Sequence, residues 1–114
     1  MNKLITVAVI DSGIYPHIDF KNRIVAFKDF VNGRKNAYDD CGHGTHVSGI
    51  IAGSGYASHG RIRGICPSAC LAGIKVLDRL GNGRIENVLD AAGWIISHQK
   101  DLNIRVVNLS LIHI

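Results

Sequence analysis

Residues 4–13 read Leu4-Ile5-Thr6-Val7-Ala8-Val9-Ile10-Asp11-Ser12-Gly13. An unbroken run of apolar and β-branched residues, closed by a carboxylate and a turn-forming pair, describes a strand buried on both faces; a strand with one wet face would alternate with polar side chains. Such strands belong to parallel sheets. Working outward, Leu71-Ala72-Gly73-Ile74-Lys75-Val76-Leu77 and the segment from Ile104 to Leu111 have the same character, and Ile24-Val25-Ala26-Phe27 is a weaker strand. From His43 to Ala52, Val47, Ile50 and Ile51 share a helical face. After the Gly81-Asn82-Gly83 turn, Ile85, Val88, Leu89, Ala92, Ile95 and Ile96 recur with the spacing of an amphipathic helix that ends near Lys100. The polar stretch from Asn32 to Gly42 and the Gly- and Ser-rich stretch from Ser54 to Arg63 read as loops. Strands alternating with helices predict an α/β fold, a parallel sheet with flanking helices and right-handed crossovers, within one unit over 1–114.

Composition agrees with part or all of one globular domain: 114 residues, 46% hydrophobic, 19% charged. A chain of this length buries about two thirds of its unfolded surface, enough for a small core only. The net charge of +4 is not gathered into a patch, and neither interleaved aromatics nor a phosphate-cradling loop accompanies it, which argues against nucleic acid as a partner. No run approaches the ~20 apolar residues of a membrane span, and Met1-Asn2-Lys3-Leu4 leads into a strand pattern rather than a signal-peptide core. Cys41, Cys66 and Cys70 cannot all pair internally, which favours a reducing compartment over a disulfide scaffold.

Two places carry chemistry. In open parallel sheets, reacting groups collect beyond the carboxyl ends of the strands, and Asp11 sits at such an end; the alternative is an Asp that only caps the turn through Ser12 and Gly13. The second place is Gly42-His43-Gly44-Thr45-His46, opening the first helix, where the glycines let backbone and substrate approach an imidazole closely. A histidine there, balanced between a helix N-terminus and a nearby carboxylate, suits a general base.

These residues resemble the subtilisin-like serine proteases. Val7-Ala8-Val9-Ile10-Asp11-Ser12-Gly13-Ile14 is similar to that family's catalytic aspartate segment, and His43-Gly44-Thr45-His46-Val47-Ser48-Gly49-Ile50-Ile51-Ala52-Gly53 to its histidine segment. The stretch from Gly64 to Leu71 resembles the Gly-Val-Ala-Pro lead into a strand. The resemblance implies a serine-type endopeptidase acting on polypeptides, with Asp11 orienting His43 and His43, not His46, as general base. It further implies that Val106 to Leu111 is the strand pairing with substrate, with Ser110 and Leu111 at the groove, and that Gly81, Asn82 and Gly83 stand opposite.

The chain departs from the family pattern in three ways. Ile112-His113-Ile114 replaces the glycine expected after Ser110-Leu111, which sets those last residues apart. His17-Ile18-Asp19-Phe20 replaces His-Pro-Asp-Leu, so no cofactor is certain, and a structural calcium at Asp19 would lack a second identifiable ligand. The Gly-Thr-Ser nucleophile segment and the oxyanion-hole asparagine have no counterpart; none of Ser12, Ser48, Ser54, Ser58, Ser68, Ser97 or Ser110 has that context. The expectation is therefore an N-terminal part of a catalytic domain, truncated before the nucleophile, needing the missing C-terminal part and inactive alone. It would be cytoplasmic if the N-terminus is native and secreted if a signal and propeptide have been lost.

Two other classes compete. Asp11-Ser12-Gly13 after a hydrophobic pair also resembles an aspartic protease signature, which needs an all-β fold and two carboxylates sharing a proton. Cys41, His43, His46, Cys66 and Cys70 carry zinc's preferred donors, though at irregular spacing.

Overall fold

The computed structural model describes residues 4–110. Its elements run β1 (Thr6–Asp11), a 3-10 turn (Ile18–Phe20), β2 (Ile24–Asp29), α1 (His43–Ala52), a second 3-10 turn (Tyr56–Ser58), β3 (Cys70–Lys75), α2 (Ile85–Leu102) and β4 (Ile104–Leu109). The four strands form one sheet in the order β2-β3-β1-β4, parallel throughout. The expected α/β architecture, a parallel sheet with flanking helices, is the one observed.

β1 lies between β3 and β4, so every residue from Thr6 to Asp11 is buried. Alternate side chains enter two cores. Ala8, Ile10, Ala72, Ile74 and Ile104 pack under α2 with Ala91 and Ile95, while Val7, Val9, Leu71 and Phe20 meet Ala52 at the end of α1. Each buried Val, Ile or Leu stabilises by about 1.5–3 kcal/mol, and an unpaired polar group in the same space costs a comparable amount. The polar groups at the carboxyl end of the sheet must therefore find partners there.

In the second half the expected end of the long helix near Lys100 is refined, and the expected packing of its apolar face needs correction. The α2 helix runs past Lys100 to Leu102, because Asn103 takes a left-handed conformation (φ 53°) and its N–H closes onto the Gln99 and Lys100 carbonyls. Its apolar spacing also spans more than the sheet covers. Ala91 and Ile95 are buried, with Val88, Trp94 and Leu102 packed beside them, whereas Ile85, Leu89 and Ile96 are exposed. The cause is sheet order: among the described residues β4 has β1 as its one neighbour, and Val106, Val107 and Leu109 are exposed along that edge.

Candidate active site

Asp11 ends β1 at the carboxyl edge of the sheet. The register sets Asp11 beside Lys75 and Ile10 beside Leu109, so β1, β3 and β4 finish level with one another. The Asp11 carboxylate is wholly buried. It accepts the Ser12 N–H at 2.7 Å and faces the His43 imidazole, whose Nδ1 lies 2.9 Å from Oδ1 and 3.0 Å from Oδ2. Facing an ionised carboxylate, which can only accept, Nδ1 is the donor, and in the neutral imidazole the lone pair then falls on Nε2. The His43 side chain is 36% exposed against 0% for Asp11. One end of the couple is sealed and the other is open to a reactant, an arrangement that suits proton abstraction by Nε2.

The couple forms because the turn after β1 docks on residues 38–45. Gly13 bridges Asp39, the Ile14 N–H donates to the Tyr38 carbonyl at 3.1 Å, and the Tyr15 N–H donates to Thr45 Oγ1 at 2.9 Å. The Ser12 hydroxyl donates to Asp39 Oδ1 at 2.8 Å and accepts the Gly44 N–H at 2.9 Å. Gly42 enters α1 at φ 98° and has no side chain with which to cap it. Asp39 supplies the cap from upstream, accepting the N–H groups of Cys41, Gly42 and Thr45. Burial opposes ionisation of Asp39, but the bonds from Thr45, Gly42 and Ser12 outweigh it and hold this carboxyl below the usual carboxylate range.

Of the two glycines flanking His43, Gly44 has a further use, which is to admit another backbone. Gly44 is buried against Gly13, and a Cβ on it would stand 2.2 Å from the Gly13 carbonyl oxygen. What approaches Gly44 closely is the turn that follows Asp11.

Lys75, Asp39, Asp40 and Thr45 were not singled out by sequence. The Lys75 ammonium is fully buried and donates to the Ser12 carbonyl (2.6 Å), the Leu77 carbonyl (2.7 Å) and Asp40 Oδ1 (2.7 Å). The signals were present: a lysine inside an apolar strand run, and paired aspartates just before the histidine motif.

Gly81, Asn82 and Gly83 close a turn on Asp78, whose carboxylate accepts the Leu80 and Asn82 N–H groups, and Gly83 bridges back to Leu77. Those backbone bonds, from Asn82 first, hold Asp78 below the usual range. This turn reaches the couple through the two residues after β3, since the Val76 and Leu77 N–H groups both donate to the Asp11 carbonyl. Ser110 follows β4 and donates to Asn108 Oδ1 at 3.0 Å; Leu111 and Ile112 to Ile114 lie outside the described residues. His46, one turn along α1, is exposed in a cleft with His17, Ile50 and Ile62. Asp19 anchors the second loop, its carboxylate accepting the Ala57 N–H and its carbonyl the Ser54 N–H.

Among the described residues no three of His, Cys, Asp or Glu converge as a metal cage, so the zinc reading through Cys41, His43, His46, Cys66 and Cys70 is unsupported. The three cysteines are free thiols. An α/β fold with α1 and α2 does not support the aspartic-protease reading either. Among the described residues no helix is long and apolar enough to cross a membrane.

The model of the subtilase family matches residues 2–112. The chain belongs to the subtilase family. Its relatives within that family include serine protease AprX of Bacillus subtilis (strain 168), 46% identical over 99 residues, covering 87% of this chain and 22% of AprX. Subtilisin E of the same organism is 40% identical over 109 residues, 94% of this chain and 26% of subtilisin E. Among solved subtilases, a cold-adapted subtilisin-like serine proteinase superposes with a TM-score of 0.71 at 34% identity, over 82% of this chain and 32% of that one. The Clostridium perfringens CspB protease shares the fold with a TM-score of 0.77 at 24% identity, over 94% of this chain and 28% of that one. The chain therefore spans about a quarter or less of the length of the curated relatives named here.

Proposed function

We propose that this chain supplies the aspartate and histidine of a serine endopeptidase, and that the nucleophilic serine and the oxyanion-hole asparagine come from a further part of a catalytic domain. Asp11 holds the imidazole of His43 in one tautomer and orientation. Nε2 takes the proton of the attacking serine and returns it to the leaving amine, while Asp11 stays ionised and balances the imidazolium. The backbone around Gly81 to Gly83 and the strand through Ser110 and Leu111 bind the substrate peptide. The observation that carries this reading is the paired contact of Nδ1 with both oxygens of a fully buried Asp11.

A couple without its nucleophile has little hydrolytic power. In subtilisin, a member of this same family, loss of the serine lowers kcat by about 10⁶, so the 114-residue chain does not cleave peptides alone. The test is a graft of this chain in place of the matching segment of AprX. The graft hydrolyses a peptide nitroanilide, and His43→Ala abolishes that by about 10⁴-fold or more. Undiminished hydrolysis by the His43→Ala graft, or inhibitor-sensitive cleavage by the chain alone, overturns the reading.

A further inference from the structure

We propose that Asp39 is a positioning residue for the Asp11–His43 couple, holding Ser12 and the first turn of α1 together so that carboxylate and imidazole meet. The inference rests on the catalytic reading above and adds a residue to it. None of the hydrogen bonds of Asp39 goes to His43 or Asp11. Its partners flank both: Ser12 follows Asp11 directly, and Cys41, Gly42 and Thr45 stand on either side of His43.

The geometry demands a carboxylate. Oδ1 accepts from the Ser12 hydroxyl (2.8 Å), the Cys41 N–H (3.1 Å) and the Gly42 N–H (2.8 Å). Oδ2 accepts from the Thr45 N–H (2.9 Å) and the Thr45 hydroxyl (2.5 Å). Every neighbour is a donor, and only a group with two accepting oxygens satisfies both sides. An amide of the same shape turns two hydrogens toward donors on one side, whichever way it is flipped. The strain then falls on Ser12 or on the entry to α1, and both lead to the couple. Thr45 extends the same clamp, since its hydroxyl donates to Asp39 and accepts the Tyr15 N–H.

Ser12 is also held at its other end. Its carbonyl accepts from buried Lys75, whose ammonium pairs with Asp40, the residue after Asp39. With carbonyl and hydroxyl both fixed, the Asp11 turn has one orientation relative to α1. A purely structural cap would serve the helix alone; this one reaches across to the residue following the catalytic carboxylate.

The test pairs Asp39→Asn with Thr45→Val, the second removing one hydroxyl and keeping the shape, with Thr45→Ser as the conservative control. In the AprX graft, both variants lower kcat by about 10²-fold, the effect of a misplacement near 1 Å, with KM within about twofold, and Thr45→Ser recovers most of the loss. In the full chain, nitrogen-labelled histidine reports the His43 Nδ1–H resonance, which the Asp11 carboxylate shifts downfield. That resonance is lost or moves upfield in Asp39→Asn and Thr45→Val and returns in Thr45→Ser. If Asp39→Asn does not fold, Thr45→Val decides. An unchanged resonance and kcat in the folded variants overturn the proposal, as does a raised KM with kcat intact, which would mark a substrate contact. Should His43→Ala leave the graft active while the resonance still responds to Asp39, the catalytic reading fails and the positioning role stands.

Discussion

Gly44 rests directly on Gly13, with the space for a Cβ at Gly44 falling 2.2 Å from the Gly13 carbonyl oxygen and 3.0 Å from its nitrogen. Both obstructing atoms are backbone, so no side chain can swing aside. Gly44→Ala is expected to destabilise the chain by about 3 kcal/mol, as overpacking does where nothing yields. Gly49, further along α1, has no heavy atom within 4 Å of its Cβ position apart from its chain neighbours and the adjoining helix backbone. Gly49→Ala is expected to stabilise by about 0.5–1 kcal/mol through helix propensity. Urea midpoints of the two variants, moving in opposite directions, check the pair.

Lys75 is the second fixed point of the site. Lys75→Met removes the donor from two carbonyls, those of Ser12 and Leu77, and leaves Asp40, whose side chain is 37% exposed, to water. Each orphaned buried carbonyl costs about 1–3 kcal/mol, so a loss of at least about 2 kcal/mol is expected. Asp40→Asn keeps a hydrogen-bond acceptor beside the ammonium and is expected to cost less. Chemical denaturation that ranks the two variants in the reverse order would contradict the role assigned to the buried ammonium.

The reach of sequence reading follows from which interactions are local. Strand β1 and the Asp11 position were legible because burial on both faces writes itself into consecutive residues, and α1 because its apolar face and its glycines are contiguous. The docking of Asp39 was not, since its partners Ser12 and Thr45 lie in separate segments joined only by folding. Lys75 reads as a strand residue until Ser12, Leu77 and Asp40 are seen to converge on it. The exposed flank of α2 was hidden for a related reason. Periodicity reports which residues are apolar, while the sheet order that leaves β4 at an edge is a long-range property.

Acid stability should expose the Asp39 clamp. Burial opposes the charged form of Asp39, but bonds from Thr45, Gly42 and Ser12 keep its carboxyl low. Asp29 is similar: burial opposes ionisation, while the Tyr38 hydroxyl and the N–H groups of Asn32, Val31 and Arg34 outweigh it. A carboxyl lower in the folded than in the unfolded chain adds stability above the ordinary carboxylate range, about pH 4. That contribution is lost as pH falls through the folded values, because the unfolded chain takes up protons first. Wild type is therefore expected to lose stability steadily below about pH 4. Asp39→Asn should be weaker at neutral pH and flatter on the acid side. Denaturation midpoints across that range give both slopes, and parallel slopes would remove Asp39 from the account.

Ser48 offers a substitution of the opposite sign. Its hydroxyl is buried in α1 with no hydrogen-bond partner among the described residues. Removing an unpaired buried hydroxyl relieves a desolvation cost, and alanine is the better helix former. Ser48→Ala is expected to raise stability by about 1 kcal/mol, visible as a higher melting temperature; a loss of that size would mean the hydroxyl has a partner.

The exposed apolar surface governs how the chain behaves by itself. Leu89 (65%) and Ile96 (76%) stand out from α2, and Val107 and Leu109 line the edge of β4 that is open among the described residues. Apolar stripes beside an unpaired strand edge favour contact with other molecules, because both the side chains and the free backbone groups gain partners. The chain alone is therefore expected to self-associate, with sedimentation giving species heavier than 12.3 kDa. Placing Lys at 89 and Glu at 96 makes the α2 stripe polar, and Lys at 107 charges the edge. Each change should move the distribution toward monomer, the helix changes without loss of stability because those positions pack against nothing in the core. A wild-type chain that sediments as a monomer and unfolds cooperatively would show that the two cores around β1 suffice, and that the exposed stripes are ordinary surface.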